Sequence, residues 1–404
     1  MKHHSTLLSG KKIGVIGFNA RPIALSLKHN NAQVFVSDYW GDADLRECSS
    51  DCIAILSPTP GIRQRQPLDV PVHQALVENF LLLTKRIDID FVLIGSGFDD
   101  DSDSLKPIEE LGYLMGNSIT QMKSARDHSR INKIAKELDL NRPKEFVTSP
   151  DNVEIHSEKI GYPCILRPLK SGGGSGIRLV RNLKNLRSFI DKRLDEEAKF
   201  RIQEYIPGFD ISSSILSSKV NSQCFSVQGQ LIGMPSAGKN CGFSYCGNYY
   251  PTFIPKKTTN QIAESSEVVC EKLKLVGSNG LDFIVDKSSK IWLLEVNPRI
   301  QGTLEMLESA GNVSIIDRHI RAIDDQLLDK IPIFKPVVKM IVYSRREGMV
   351  PDLSKFPNVV DRTPKCVVVH RGDPVCTVIE VGVSLKESYE KASRIARVIQ
   401  SNIT

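Results

Sequence analysis

The chain opens with short apolar runs set between longer stretches of helical period. Lys12-Ile13-Gly14-Val15-Ile16-Gly17-Phe18 is a buried-type strand that enters a glycine turn. Residues 21–29 repeat with helical period, and 33–38 return to a strand ending in Asp38. Residues 53–57 and 91–95 predict two more parallel strands, and Gly95-Ser96-Gly97 after the second leaves room for backbone to approach a ligand. This is the pattern of an open, Rossmann-like α/β sheet. Residues 124–142 predict one polar, basic helix that stops before Pro143. An α+β unit is expected from about 144 to 210 and another from about 211 to 325. Strands at 337–343, 366–369 and 375–381 and a closing helix at 384–401 complete the reading.

Length and charge narrow the classes. At roughly 100–200 residues per domain, 404 residues make two to four domains. A net charge of +6 is too small for nucleic-acid binding but suits an anionic small substrate. No apolar run reaches the ~18 residues of a membrane span, and the first residues lack the apolar core of a signal peptide. Nine cysteines with irregular spacing read as reduced thiols, so a cytoplasmic protein is expected. The pairs Cys48/Cys52 and Cys241/Cys246 lack the two-residue gap of a zinc knuckle. Gly14 and Gly17 are not followed by a third glycine, which counts against an NAD-dependent oxidoreductase.

Three stretches carry chemistry. In the first, Cys164-Ile165-Leu166-Arg167-Pro168-Leu169-Lys170 runs into Gly172-Gly173-Gly174-Ser175-Gly176. Glycines free the backbone amides to turn toward phosphate oxygens, and Arg167 and Lys170 add positive charge. The second, Gln203-Glu204-Tyr205-Ile206-Pro207-Gly208, is an extended connector whose free N–H and C=O groups match the edge of an adenine. The third is a hairpin, Gly280-Leu281-Asp282-Phe283-Ile284-Val285-Asp286 and Ile291-Trp292-Leu293-Leu294-Glu295-Val296-Asn297-Pro298-Arg299. Alternation puts Glu295 and Asn297 on one face, and with Asp282 they form a hard-oxygen set suited to Mg2+. Arg299 is placed to meet an anionic transition state. Asp286 reads as a turn cap.

In this order the stretches resemble the ATP-grasp superfamily over roughly residues 120–325. Phrases such as Gly17-Phe18-Asn19-Ala20-Arg21, Gly95-Ser96-Gly97 and Gly372-Asp373-Pro374-Val375-Cys376 narrow the resemblance to a carboligase-like branch related to biotin carboxylase. The resemblance implies α/β and α+β structure: a Rossmann-like pre-ATP-grasp domain (1–120), then a two-lobed ATP-grasp domain (121–325) whose mobile glycine-rich lobe spans about 144–205. A C-terminal α+β segment (326–404) would pack on that body. It implies ATP bound by Arg167, Lys170, Gly172 to Gly176, Gln203 to Ile206 and Asp210. It implies Mg2+ (or Mn2+) on Asp282, Glu295 and Asn297, with Arg299 and Asn297 catalytic. Asn19, Arg21, Asp38 and Lys239, the last in a 234–250 loop covering the pocket, are the substrate candidates. The activity implied is a carboxylate–amine ligase acting through an acyl phosphate on small molecules, in an assembly that is often a homodimer among relatives. Two departures stand out. Arg167 and the neighbourhood of His128 (Arg126, Arg130, Lys133) replace the usual nucleotide lysines. Thr303 stands where a biotin carboxylase has its bicarbonate base, with Glu305 two residues further on. The alternatives are therefore an ATP-dependent carboxylase, or a nucleotide-binding regulator that has lost catalysis.

Overall fold

The computed structural model describes residues 7–64, 68–170, 172–193, 199–239 and 242–404. Four parallel strands come first: β1 (Lys12–Gly17), β2 (Gln33–Asp38), β3 (Asp51–Ala54) and β4 (Phe91–Ile94), in the order β3-β2-β1-β4. Val15, Val34 and Val36 pack on the helix Arg21–His29, and Phe35, Val92 and Ile94 on the helix Val72–Thr84. A parallel sheet covered on both faces needs such continuous apolar strands.

The expected single helix at 124–142 is two, Ile119–Arg126 and His128–Glu137. Asp127 divides them. Its carboxylate accepts the N–H groups of Ser129 (2.9 Å) and Arg130 (3.2 Å), so it caps a new helix instead of continuing the old one.

A small antiparallel sheet follows: β5 (Glu145–Thr148), β6 (Cys164–Pro168), β7 (Arg178–Val180) and β8 (Phe200–Glu204), ordered β5-β8-β6-β7. Cys164, Leu166, Phe200 and Ile202 bury one face with Val153 and Leu186 of its two helices. The other face carries the alternate residues and looks toward the main body.

The main sheet has eight strands in the order β13-β12-β9-β10-β11-β14-β18-β16. They are β9 (Gly208–Ser217), β10 (Ser222–Ile232), β11 (Tyr245–Tyr250), β12 (Gly277–Asp286), β13 (Ile291–Asn297), β14 (Val337–Tyr343), β16 (Val359–Val360) and β18 (Pro374–Val381). A two-stranded ribbon joins β15 (Gly348–Met349) to β17 (Val368–Val369). Two expectations change here. Residues 245–250, expected within a covering loop, are a central strand. The segment after 326 continues the same sheet through β11–β14 pairing, Tyr249 opposite Val338, as well as packing its helix Leu385–Ser401 on it. Among the described residues no helix is long and apolar enough to cross a membrane. The eight described cysteines are all free; Cys241 lies outside the described residues.

One buried ionic cluster ties these pieces together. Arg21, 1% exposed, donates from Nε to Asp361 (2.6 Å) and from Nη1 and Nη2 to Glu305, with Asp44 at 3.4 Å. Asp44 in turn accepts the backbone N–H groups of Asp361 (3.0 Å) and Arg362 (2.7 Å). Lys339 donates to the Gly302 carbonyl at 2.6 Å beside the same carboxylates. Removing one partner of a buried ion pair leaves uncompensated charge, so Arg21→Met is expected to lower unfolding free energy by about 3–5 kcal/mol in denaturant titrations.

A second tie is His319, 3% exposed, whose Nδ1 accepts the Ser278 N–H (2.7 Å) while Nε2–H donates to the Met115 carbonyl (3.2 Å). Burial pushes its pKa down to about 4, against an ordinary value of 6.5. The unfolded chain takes up this proton first as pH falls, so the contribution is whole above about 6.5 and is lost toward pH 4. Melting curves at pH 7 and pH 4.5 are expected to show a smaller acid loss for His319→Asn than for the parent.

Candidate active site

The hairpin β12–β13 sets the centre. Its register places Asp282 opposite Glu295 and Gly280 opposite Asn297, with a bulge after Asp282. Asn297 Nδ2 donates to Asp282 Oδ2 at 2.9 Å, and Gln230 Nε2 on β10 donates to Oδ1 at 2.8 Å. Gln301 occupies the space that a side chain at 280 would need and donates to the carbonyls of Asn297 (3.2 Å) and Arg299 (2.8 Å), which braces the turn that presents Arg299. Asp286, as expected, caps the hairpin turn by accepting the N–H groups of Ser288 (2.8 Å) and Lys290 (3.1 Å) and the Trp292 indole (3.0 Å).

The two carboxylates share a confined space, and their proton affinities separate. Burial, then the neighbouring Glu295 charge, pushes Asp282 up to about 8. Burial would raise Glu295 too, but Arg126, Arg167 and Arg299 outweigh it and hold that carboxyl below its ordinary value. Two close carboxylates and an amide are a hard-oxygen set that a divalent cation would relieve of mutual repulsion; these residues fit Mg2+.

Basic groups surround the pair. Arg126 reaches Glu295 at 3.4 Å and is held by Asp100 at 2.6 Å. Arg299 Nε sits 2.9 and 3.0 Å from the two oxygens of Asp99. Lys170, beside the glycine-rich turn, pairs with Asp101 at 2.6 Å. Three consecutive aspartates in the loop after β4 thus each hold one of these basic residues. Of the three basic alternatives considered beside His128, Arg126 faces the carboxylates. Arg130 instead donates to the Lys272 carbonyl at 3.2 Å, and Lys133 is exposed on the helix surface.

The glycine-rich turn lies against the main body. Tyr245 N–H donates to the Gly173 carbonyl at 3.0 Å. Gly174, at φ +76°, is so close that a Cβ there would stand 1.7 Å from the Phe243 carbonyl oxygen. Gly172, Gly173, Ser175 and Gly176 complete this lip. Gln203 and Glu204 end β8, where Gln203 pairs with Ile165 of β6, and Tyr205 and Ile206 link β8 to β9. Asp210 on β9, opposite Ile284 of β12, is pushed up to about 6 by burial.

The expected substrate residues are dispersed. Arg21 is consumed by the interior cluster. Asp38, 1% exposed, accepts the backbone N–H groups of Ala20 (2.8 Å), Trp40 (2.7 Å) and Gly41 (2.9 Å). Both are turned inward because a charged group buried at a strand end or helix start must find partners within the protein. Asn19, next to them, keeps a buried Oδ1 with no partner. Lys239 donates to the Gly372 carbonyl (2.9 Å) and lies 4.2 Å over the Tyr343 ring. Glu305 is bonded to Arg21, and Thr303 lies 3.2 Å from the Ser214 hydroxyl.

Sequence reasoning passed over the Asp99-Asp100-Asp101 run, Arg142, Glu145 and Arg201. The run's position after Gly95-Ser96-Gly97 was a usable signal. The spacing of Arg201 and Gln203 on one strand face was another.

Comparison with known proteins supplies the frame for this geometry. Residues 130–303 match the ATP-grasp domain family. A protein of Methanocaldococcus jannaschii described as uncharacterised is 25% identical over 369 residues, 90% of this chain and 87% of its own length. An N5-carboxyaminoimidazole ribonucleotide synthetase, solved as its ADP complex, superposes with a TM-score of 0.71 at 17% identity, covering 98% of both chains. The biotin carboxylase of Campylobacter jejuni, solved with a β,γ-ATP ligand, gives 0.72 at 14% identity, covering 99% of this chain and 93% of its own. These structural likenesses carry the fold.

Gly174→Ala tests the lip. Any side chain there meets backbone, not a yielding side chain, so the turn is expected to stand open. Turnover should fall about tenfold or more, while the melting temperature stays within about 2 °C because the turn is peripheral.

Proposed function

We propose that this chain, whose residues 130–303 match the ATP-grasp domain family, is an ADP-forming, Mg2+-dependent carboxylate–amine ligase acting on small molecules in the cytoplasm. The observation that carries the reading is the set Asp282, Glu295 and Asn297 on one hairpin, with Arg126, Arg167 and Arg299 acting on it.

The substrate carboxylate attacks the γ-phosphorus of ATP, the bond to the β-phosphate oxygen breaks, and ADP leaves. An amine then attacks the acyl carbon; inorganic phosphate departs, the amine loses a proton, and an amide remains. Positioning and charge neutralisation dominate such transfers. Asp282, Glu295 and Asn297 would hold the divalent cation, which when bound supplies neutralisation of phosphate charge. Arg299, held by its Nε on Asp99 and by Nη1 on the Ile300 carbonyl (3.3 Å), lies within electrostatic reach of the carboxylate pair, where the anionic acyl phosphate and its tetrahedral successor would form. The glycine-rich lip, seated on Tyr245, excludes water from a mixed anhydride that would otherwise hydrolyse. Gln203 to Ile206 offer the adenine edge, and Asp210 the ribose contact.

The carboxylase alternative needs a base after Gln301. Thr303 is not one, and Glu305 is locked on Arg21, which supports the amine-ligase reading.

The test is ADP release from the full chain against pooled carboxylic acids and amines, with and without bicarbonate. Release is expected to need an acid and an amine together, to ignore bicarbonate, and to fall about 100-fold or more in Glu295→Gln. Equal product-linked turnover by parent and variant would sink the assignment of the hairpin.

A further inference from the structure

The inner face of the small sheet carries a charge arrangement that the residues assigned so far do not explain. Alternation along β8 sends Phe200 and Ile202 into the lobe core and Arg201 and Gln203 to the opposite face. On β6 the same alternation sends Arg167 to the face of Arg201. The two arginines are direct cross-strand partners. Like charges set opposite one another on a ladder destabilise it.

More positive charge gathers here. Arg142, held by the carbonyls of Leu293 (3.2 Å) and Leu294 (2.7 Å), lies within electrostatic reach of both arginines. His128 Nδ1 stands 3.4 Å from a guanidinium nitrogen of Arg142 and of Arg201. The balancing carboxylate on the face is Glu145, 2.8 Å from Arg201 and 2.6 Å from His128. Glu295 across the cleft is already shared with Arg126. Within this group the Nε–H groups of both Arg167 and Arg201 are buried with no acceptor. A buried charged donor left unsatisfied is costly, and here two such donors occur on neighbouring strands.

We propose that Arg201 is a polyphosphate-binding residue, and that with Arg167, and Arg142 beside them, it forms a guanidinium clamp for the β- and γ-phosphates of the nucleotide. The inference rests on the nucleotide reading above and adds to it residues that the family resemblance did not point to. Two planar forks side by side offer donors to two successive phosphates, whereas one carboxylate would satisfy a single fork. Phosphate oxygens would also supply the missing acceptors and cancel the repulsion between the strands. The arrangement thus explains how the chain dispenses with lysines at these places.

Isothermal titration of the full chain with adenosine, ADP and β,γ-imido-ATP, the nucleotides with Mg2+, tests the clamp in the parent, Arg201→Gln and Arg201→Lys. Arg201→Gln is expected to weaken β,γ-imido-ATP about tenfold or more, to leave adenosine within about twofold, and to melt no more than about 2 °C below the parent; Arg201→Lys should recover part of the loss. Equal affinity of parent and Arg201→Gln for β,γ-imido-ATP overturns the clamp. An equal loss toward adenosine also overturns it, since that marks a structural residue. A parent that takes up none of the three ligands instead overturns the ligase reading itself, before any variant is compared. A clamp meant for an anionic substrate would leave all three affinities unchanged in Arg201→Gln, which again rejects the proposal.

Discussion

Two carboxylates facing each other across neighbouring strands repel, and the site is organised around that repulsion. Asp282 and Glu295 are fixed by the β12–β13 register, so they cannot move apart without unpairing the hairpin. Compensation must come from elsewhere. It arrives from the helix ending in Arg126, from β6 through Arg167 and from the turn after β13 through Arg299. Each of these elements belongs to a different part of the chain, and each is oriented by its need to reach the same pair. Asp99 and Asp100 then hold Arg299 and Arg126 from behind, so alternating shells of charge run outward from the hairpin.

The same logic operates in the interior around Arg21. Carboxylates from β2's flank, from the helix after β13 and from the strand segment near Asp361 converge on one guanidinium. Such a cluster is a weak source of net stability compared with apolar packing. Its value is geometric. It fixes the parallel sheet against the main body, and that relation brings Asp99 to Arg299.

Much of the β12–β13 hairpin was legible because strand alternation is a local rule. It puts Glu295 and Asn297 on one face of β13, and the polar turn between the strands marks Asp286 as a cap. The parallel strands and the closing helix were legible for the same reason: their apolar periods are continuous. What was not legible depended on distance. Arg21 at a helix start looks like a surface residue until Glu305 and Asp361, 284 and 340 positions away, arrive beside it. Glu145 meets Gln203 only because the small sheet is ordered β5-β8-β6-β7. Asp127 was legible in principle, since an aspartate two residues before a serine N–H can stop one helix and begin another. Residues 245–250 were hidden by composition: tyrosine, cysteine and glycine read as a loop until Lys339 and Met340 pair with them.

The seat of the glycine-rich lip is made of main chain on both sides, Gly173 against Tyr245 and Gly174 against Phe243. Recognition between peptide units depends on side-chain identity only where, as at Gly174, no side chain fits. Phe243 enters the seat through its carbonyl, so its ring is freer to vary than the glycine it faces or the buried strand residues Cys246 to Asn248.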